Sequence, residues 1–251
     1  MAKKLEHKVC IVTGATSGMG KAIATSFVSE GARAILSGRH EERGLALEKE
    51  LGENAVFIAG DVTLPAYNEL LVKKAIDHFG RLNILSMNAG ILGLGSVTDL
   101  PLDLWSKTLE VNLSSLFYLS KYAIPELQKN DGAAILINAS IAAYKSFPNH
   151  PAYCASKAGT LALMRQMAVE YAPKLRVNAI CPGPVDTPLL WNSAKAFKNP
   201  EVAVQNAANT ALLQRLGKPT DIANLALFLV SEEASWITGT AMTIDGGILN
   251  A

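Results

Sequence analysis

Cysteine and histidine are both sparse in this sequence, which argues against several kinds of site. The chain has 251 residues, with four histidines and three cysteines, Cys10, Cys154 and Cys181. The cysteines form no Cys-x-x-Cys pair and no disulfide framework, as is typical of a protein in the reducing cytoplasm. The histidines lack the spacing of metal ligands. We therefore expect no metal centre.

The sequence also lacks an excess of charge of one sign and a long apolar run. Lys and Arg number 23 and Asp and Glu number 22, so the formal net charge is +1. This balance gives no sign of a nucleic-acid surface or a polybasic membrane patch. No segment approaches the roughly 20 apolar residues of a membrane span, and the charged start leads into a strand pattern without a signal-peptide core. We expect a cytoplasmic protein with neither a nucleic-acid nor a membrane partner.

The patterns that are present indicate a compact α/β protein. Hydrophobic residues make up 49% of the chain and charged residues 18%, and short apolar runs alternate with helical patterns throughout. The predicted strands are 9–13, 32–37, 55–59, 83–87, 133–138, 175–181 and 241–244. The predicted helices are 21–30, 41–51, 65–79, 101–110, 113–129 and one that carries Tyr153 and ends near 172. Such alternation predicts a doubly wound, mostly parallel sheet with helices on both faces, and no break in composition divides the single domain expected over 1–251.

Three glycines follow the first predicted strand. Gly14, Gly18 and Gly20 join it to the first predicted helix. Glycines permit a tight turn and let backbone amides approach a pyrophosphate, whose charge the helix N-terminus favours. The spacing differs from Gly-x-Gly-x-x-Gly and from a P-loop, so a purely structural turn is the alternative. The position after the first strand of an α/β pattern favours a nucleotide site.

The ends of the next strands bear on which nucleotide binds. An NAD site usually has an acid after the second strand, where this chain has Arg39. A guanidinium suits a 2′-phosphate, so NADP(H) is favoured. NAD(H) stays open, because Arg39 would equally lie over the adenine or in solvent. Asp61 and Val62 follow the third strand and 88–90 the fourth, although turn chemistry alone accounts for these residue types.

Tyr153 and Lys157 form the pair with the clearest chemical meaning. Residues four apart on a helix share a face, so the ammonium would lie beside the phenol. A close positive charge lowers a tyrosine pKa from near 10, and such a phenol exchanges a proton with an alcohol or carbonyl oxygen. Ser140, at the end of the fifth strand, would hold the same oxygen. By itself the pair fits a surface lysine lying over a tyrosine equally well.

Together these motifs resemble the short-chain dehydrogenase/reductase family of the classical type. The family's order and spacing are matched over nearly the whole chain by Thr13-Gly-x-x-x-Gly-x-Gly20, Asn88-Ala-Gly90, Asn112, Ser140, Tyr153-x-x-x-Lys157 and Pro182-Gly183. Met87 is a small departure, since many members have asparagine there. The resemblance implies a seven-stranded Rossmann-like fold, a homotetramer, and NAD(P)-dependent hydride transfer between the cofactor and a carbonyl or alcohol substrate.

The resemblance also implies a role for each motif. Tyr153 would be the general acid/base, and Ser140 would bind the substrate oxygen. Lys157 would bind the nicotinamide ribose and lower the pKa of Tyr153, while Asn112 would hold a water that links Lys157 to solvent. The implied cofactor-binding residues are Gly14, Ser17, Gly18, Met19, Gly20, Arg39, Asp61, Val62, Asn88, Ala89, Gly90, Tyr153, Lys157, Pro182, Gly183, Val185 and Thr187.

The substrate is expected to be selected by the loop 141–150 and by a substrate lid at about 188–210. Trp191 and Phe197 would either form an apolar substrate wall or only pack the lid against the body. His150 would either meet the substrate or be a solvated loop residue. The sequence leaves open 3-oxoacyl reductase-like, sugar dehydrogenase-like and hydroxysteroid dehydrogenase-like activities. The alternative to an enzyme is a catalytically silent cofactor-binding or regulatory protein on the same fold.

Overall fold

The computed structural model describes residues 3–251 and contains a seven-stranded sheet. Its strands are β1 (Val9–Thr13), β2 (Arg33–Gly38), β3 (Ala55–Ala59), β4 (Ile84–Met87), β5 (Ala133–Asn138), β6 (Leu175–Pro182) and β7 (Ala241–Ile244). They lie in the order β3-β2-β1-β4-β5-β6-β7, and every neighbouring pair is parallel. The predicted strands agree with these to within one residue at each end.

Helices cover both faces of the sheet. They are α1 (Gly18–Ser29), α2 (Glu41–Leu51), α3 (Pro65–Phe79), α4 (Leu102–Leu109), α5 (Ser115–Leu127), α6 (Pro151–Tyr171), α7 (Pro188–Ala194), α8 (Pro200–Thr210) and α9 (Pro219–Val230). One apolar core joins the sheet to α3, α5 and α6 through residues such as Leu71, Leu119 and Met164. A second joins it to α1, α2 and α9 through residues such as Phe27, Leu47 and Ala226. The predicted doubly wound α/β fold is confirmed.

The strand order creates the crevice in which ligands of such folds bind. From β1 the chain moves outward to β2 and β3, then returns to the other side of β1 with β4. The connections that follow β1 and β4 therefore leave in opposite directions and open a gap at the carboxyl ends of these strands. Both strands are buried at every residue, as is typical of strands that read as mostly apolar runs.

The structure departs from the predicted helices in two places. The helices predicted at 101–110 and 113–129 are joined by a π-helical turn, Glu110–Ser114, instead of a break. The segment 188–210, predicted as a lid, folds into α7 and α8, which begin at Pro188 and Pro200. Proline suits the first helical position because its missing N–H has no helical partner there. In the described part of the chain, no helix is both long and apolar enough to cross a membrane.

Candidate active site

Two adjoining cavities open at the carboxyl ends of the strands. The larger, about 700 Å³, extends from the glycine turn after β1 to the segments after β2, β3 and β4; we call it the cofactor cleft. The smaller, about 340 Å³, lies between Ser140, Tyr153 and helices α7 and α8; we call it the apolar cavity. The two share Met19, Leu92, Thr187 and Leu189 in their walls. A ligand in one cavity is therefore in contact with the entrance to the other.

The glycine turn forms the floor of the cofactor cleft. Gly14 has φ +64°, and a Cβ on it would lie 2.9 Å from the backbone nitrogen of Ala89. A Cβ on Gly20 would collide with the Gly14 carbonyl oxygen. The side chain of Thr13 completes the contact, since its Oγ1 accepts a hydrogen bond from Asn88 N at 3.1 Å. The glycines put no side chain into the floor, so a phosphate group can approach the backbone amides there.

Basic residues line the end of the cleft beside β2. Arg39 lies there as predicted, together with His40 and Arg43. Arg43 was missed by the sequence analysis, although its position four residues after Arg39, in the first turn of α2, was available as a signal. Asp61 lines the same cleft. Burial acts to raise its pKa, but hydrogen bonds from Thr63 and the charge of Lys107 outweigh burial and lower it.

Two of the predicted catalytic side chains, Ser140 and Tyr153, line the apolar cavity, whereas Lys157 lines neither cavity. Ser140 follows β5, and Tyr153 and Lys157 lie in the first two turns of α6. The Ser140 hydroxyl accepts a hydrogen bond from Ala142 N at 3.1 Å, and Ser140 lines the same cavity wall as Tyr153. Lys157 is buried, its Nζ donates to the carbonyl oxygen of Asn138 at 2.7 Å, and it lies 5.6 Å from the centre of the Tyr153 ring.

The protonation of this pair differs from the sequence-based expectation. Burial raises the pKa of Tyr153 to about 12, although the hydrogen bond with Ser140 acts to lower it. Burial likewise lowers the pKa of Lys157 to about 8. Desolvation opposes the charged form of both groups and is the largest cause of both shifts. The lowering of the tyrosine pKa by Lys157 stays a prediction.

Asn112 lies in the π-helical turn and is 1% exposed. Its Nδ2 donates to the carbonyl oxygen of Ile91 at 2.9 Å and to Ser156 Oγ at 3.0 Å. Its Oδ1 accepts from Ile91 N at 2.8 Å. The side chain thus joins the segment after β4 to helix α6 and fixes the position of the catalytic residues. Its predicted role in holding a water stays a prediction.

The other predicted cofactor-binding residues divide between the two cavities. Those that line the cofactor cleft are Gly14, Ser17, Gly18, Met19, Gly20, Asp61, Val62, Asn88, Ala89, Gly90 and Thr187. Pro182, Gly183 and Val185 instead line the apolar cavity, close to Tyr153. A long cofactor would need this division, because its reactive end would have to reach the apolar cavity while the rest lay in the cofactor cleft.

The apolar cavity decides between two alternatives left open by the sequence. Phe197 lines it although 40% of the residue is exposed, whereas Trp191 is outside the lining and donates from Nε1 to Asp186 Oδ1 at 2.9 Å. The interpretation of His150 as a solvated loop residue is wrong. It is 3% exposed and lines the cavity, because its ring is held by Pro148 and by Ser193 on α7.

Helix α7 and the three residues that follow it form a wall of both cavities. Asn192 and Lys195 line the cofactor cleft, whereas Ser193, Ala194 and Phe197 line the apolar cavity. These contacts were not predicted, because the composition of 188–210 identifies neither the helix nor the directions of its side chains.

The cofactor cleft fits a nicotinamide dinucleotide on two observations. A Cβ at Gly14 or Gly20 would meet backbone atoms, so the floor admits no side chain, and basic side chains stand at one end. In addition, the buried Oδ1 of Asn138, a residue of the cleft wall, has no hydrogen-bond partner among residues 3–251. Buried polar atoms are usually paired, so this oxygen is available to a ligand.

Comparison with known proteins identifies the family. The family model described as enoyl-(acyl carrier protein) reductase matches residues 14–249. An uncharacterized oxidoreductase of Thermotoga maritima is 39% identical over 246 residues, which cover 96% of this chain and 97% of the relative. A 2,5-dichloro-2,5-cyclohexadiene-1,4-diol dehydrogenase of Sphingobium indicum is 36% identical over 251 residues, covering 98% of each chain.

A solved structure gives the same result. A short-chain dehydrogenase/reductase of Brucella melitensis, described as a glucose/ribitol dehydrogenase, superposes with a TM-score of 0.92 at 32% identity, and the match covers 99% of each chain. Sequence motifs, fold and relatives therefore agree. The chain belongs to the short-chain dehydrogenase/reductase family and is an oxidoreductase that acts on CH–OH or C=O groups.

Proposed function

We propose that the protein is a dehydrogenase/reductase that favours NADP(H) and uses Tyr153 as its general acid/base. The observation that carries this proposal is the position of Tyr153. The residue lines the apolar cavity beside Ser140, where the cavity shares walls with the cofactor cleft. A carbonyl or carbinol group bound there would touch both side chains.

The roles of the side chains follow from their environment. A bound nicotinamide would supply the hydride chemistry, as acceptor from a carbinol carbon or as donor to a carbonyl carbon. Tyr153 takes the hydroxyl proton during oxidation and gives it back during reduction. Ser140 donates a hydrogen bond to the same oxygen and stabilises its negative charge. Lys157 holds the segment after β5 through Asn138 and favours the phenolate by its charge.

The high pKa of the phenol favours one direction in this state of the site. At neutral pH a tyrosine with a pKa of about 12 is protonated and ready to donate. Reduction needs this form, whereas oxidation needs the phenolate. The oxidation rate is therefore expected to rise with pH up to the pKa that Tyr153 has in the complex.

The preference for NADP(H) is supported by the pair Arg39 and Arg43 at the β2 end of the cleft. Two guanidinium groups suit a 2′-phosphate, and charge-assisted hydrogen bonds of this kind are worth about 1.5–3 kcal/mol each. We expect Arg43→Ala to lower kcat/KM for NADPH about tenfold or more and to leave NADH nearly unchanged. Lys49→Ala, on the exposed side of α2, is the control. Equal effects on both cofactors would contradict the assignment.

Two further features are proposed from the exposed surface and from α7 and α8. We propose that 188–210 acts as a substrate lid over a single domain that spans 1–251. We also propose a homotetramer, which is supported by exposed apolar side chains on α5, on α6 and before β7: Phe117, Val169 and Trp236 are 52%, 80% and 98% exposed. Light scattering coupled to size-exclusion chromatography measures the assembly directly.

The decisive experiment compares Tyr153→Phe with the unaltered protein. Turnover is followed at 340 nm with each cofactor over a panel of ketones and secondary alcohols. Tyr153→Phe should bind NADPH normally and lose turnover by about 100-fold or more, because the proton donor is removed. Full activity in this variant would refute the role of Tyr153. Cofactor binding without turnover in the unaltered protein would instead indicate a catalytically silent protein.

A further inference from the structure

The apolar cavity has few polar groups besides Ser140 and Tyr153. Its wall is formed mostly by hydrocarbon side chains, namely Leu92, Ile141, Phe147, Val185, Leu189, Leu190, Phe197, Val204 and Ile248. Lys145, Asn206 and Thr210 also line it but are exposed residues, so they lie toward solvent. Three polar side chains remain. Thr187 donates to the carbonyl oxygen of Val185 and accepts from Leu190 N. His150 and Ser193 are hydrogen-bonded to each other at 2.8 Å.

The direction of this hydrogen bond can be worked out. His150 Nδ1 lies 2.6 Å from the carbonyl oxygen of Pro148, and a carbonyl oxygen only accepts. Nδ1 therefore carries the proton, and in the neutral ring Nε2 is an acceptor. Ser193 must then donate its hydroxyl hydrogen to Nε2. The group that the pair offers to the cavity is the oxygen lone pair of Ser193, which accepts a hydrogen bond.

From these observations, and resting on the proposed function, we propose the class of substrate. It is a compact, uncharged ketone or secondary alcohol, mostly hydrocarbon, with one further hydroxyl group that donates a hydrogen bond to Ser193. A cavity of about 340 Å³ is at the small end of the range for ligand sites, so a single carbocycle suits it. Both polar ends of such a molecule are paired, and its hydrocarbon body meets the apolar wall.

The same reasoning disfavours a sugar in this cavity. A sugar carries a hydroxyl on nearly every carbon, and most of these would be buried against hydrocarbon without a partner, which is strongly unfavourable. His150 and Ser193 are specificity-determining residues on this proposal. A merely structural link between the start of α6 and helix α7 would affect all substrates alike.

The test compares matched substrates that differ by one hydroxyl. With saturating NADPH, kcat/KM is measured for cyclohexanone and 4-hydroxycyclohexanone. We expect the hydroxylated ketone to be favoured about fivefold to tenfold, as one neutral hydrogen bond implies. Ser193→Ala should reduce this ratio to about one, and the ratio, not the absolute turnover of cyclohexanone, is the quantity that tests the proposal. Ser146→Ala, on the exposed loop, is the matched control, and Ser193→Thr should restore part of the preference.

Several results would overturn the proposal. They are a ratio near one in the unaltered protein, an unchanged ratio in Ser193→Ala, or faster oxidation of glucose than of 1,4-cyclohexanediol. If no compound is turned over, binding to the NADP⁺-loaded protein is measured by thermal shift with cyclohexanol and 1,4-cyclohexanediol. Tighter binding of the diol that depends on Ser193 supports the substrate class and refutes only the proposed catalysis. Equal or absent binding of both overturns the substrate class.

Discussion

Burial of Lys157 makes the stability of this protein depend on pH in a predictable direction. The pKa of the ammonium falls from its ordinary 10.5 to about 8, so the unfolded chain binds the proton more tightly than the folded protein does. At a pH between these two pKa values, Lys157 takes up a proton when the protein unfolds. The free energy of unfolding therefore rises with pH across this window, and the full destabilisation is present below pH 8.

The magnitude follows from the two pKa values. Their difference corresponds to about 3 kcal/mol, at 1.36 kcal/mol for each tenfold change in the binding constant. Between pH 7 and pH 9.5 the linkage relation gives a gain of about 2 kcal/mol. Tyr153 does not interfere, because its raised pKa reduces stability only above about pH 10.

The perturbation is Lys157→Met, which keeps the length of the side chain and removes the charge. The loss of the hydrogen bond to Asn138 changes stability at every pH, so the pH dependence of the difference is the quantity to measure. Urea unfolding at pH 7.0 and 9.5, at equal protomer concentration, should show the unaltered protein gaining about 2 kcal/mol over the variant. Lys49→Met, the exposed-lysine control, keeps Lys157. The difference in unfolding free energy between the unaltered protein and this control should therefore be the same at both pH values.

A difference between the unaltered protein and Lys157→Met that stays constant with pH would refute the argument. It would mean that the ammonium keeps an ordinary pKa in the folded state, through water or structural relaxation near α6. The same result would mean that a charged lysine beside the phenol does not lower the free energy of unfolding. The site would then have no conflict between stability and activity at this position.

Three other changes test particular contacts. Gly44→Ala should lower stability by about 1–3 kcal/mol, because its Cβ would collide with the ring of Phe57; Phe57→Leu in the same chain should restore part of the loss in a urea titration. Arg176→Met should lower the free energy of unfolding by about 2–4 kcal/mol in the same titration, since the guanidinium donates to four carbonyl groups at and after the end of α9. Arg176→Lys should recover only part of this loss. Gly20→Ala should weaken NADPH binding at least tenfold in a fluorescence titration, with Gly80→Ala, where nothing lies within 4 Å, as the control.

The sheet was predictable because burial on both faces leaves an unmistakable pattern. Strands β1 and β5 are buried at every residue, and each is apolar up to its last residue, Thr13 or Asn138. The glycine turn and the Tyr153 helix were predictable for a related reason. Each depends on local spacing, and each lies at the carboxyl end of a strand that the pattern already identifies.

The features that sequence analysis missed depend on contacts between distant segments. The π-helical turn places Asn112 against Ile91 and Ser156, and no local propensity specifies this extra residue. The pairing of His150 with Ser193 joins positions 43 residues apart. The protonation of Tyr153 depends on how deeply the phenol is buried, which a spacing of four residues to Lys157 does not reveal.

Helix α7 has a consequence for the order of kinetic events. Asn192 faces the cofactor cleft and Ser193 faces the apolar cavity, so a movement of the helix away from one site would open the other. On the proposal that 188–210 is a lid, departure of the product would therefore loosen a wall of the cofactor cleft. A single movement would then govern the exchange of both ligands, and solvent viscosity should slow the two release steps in proportion.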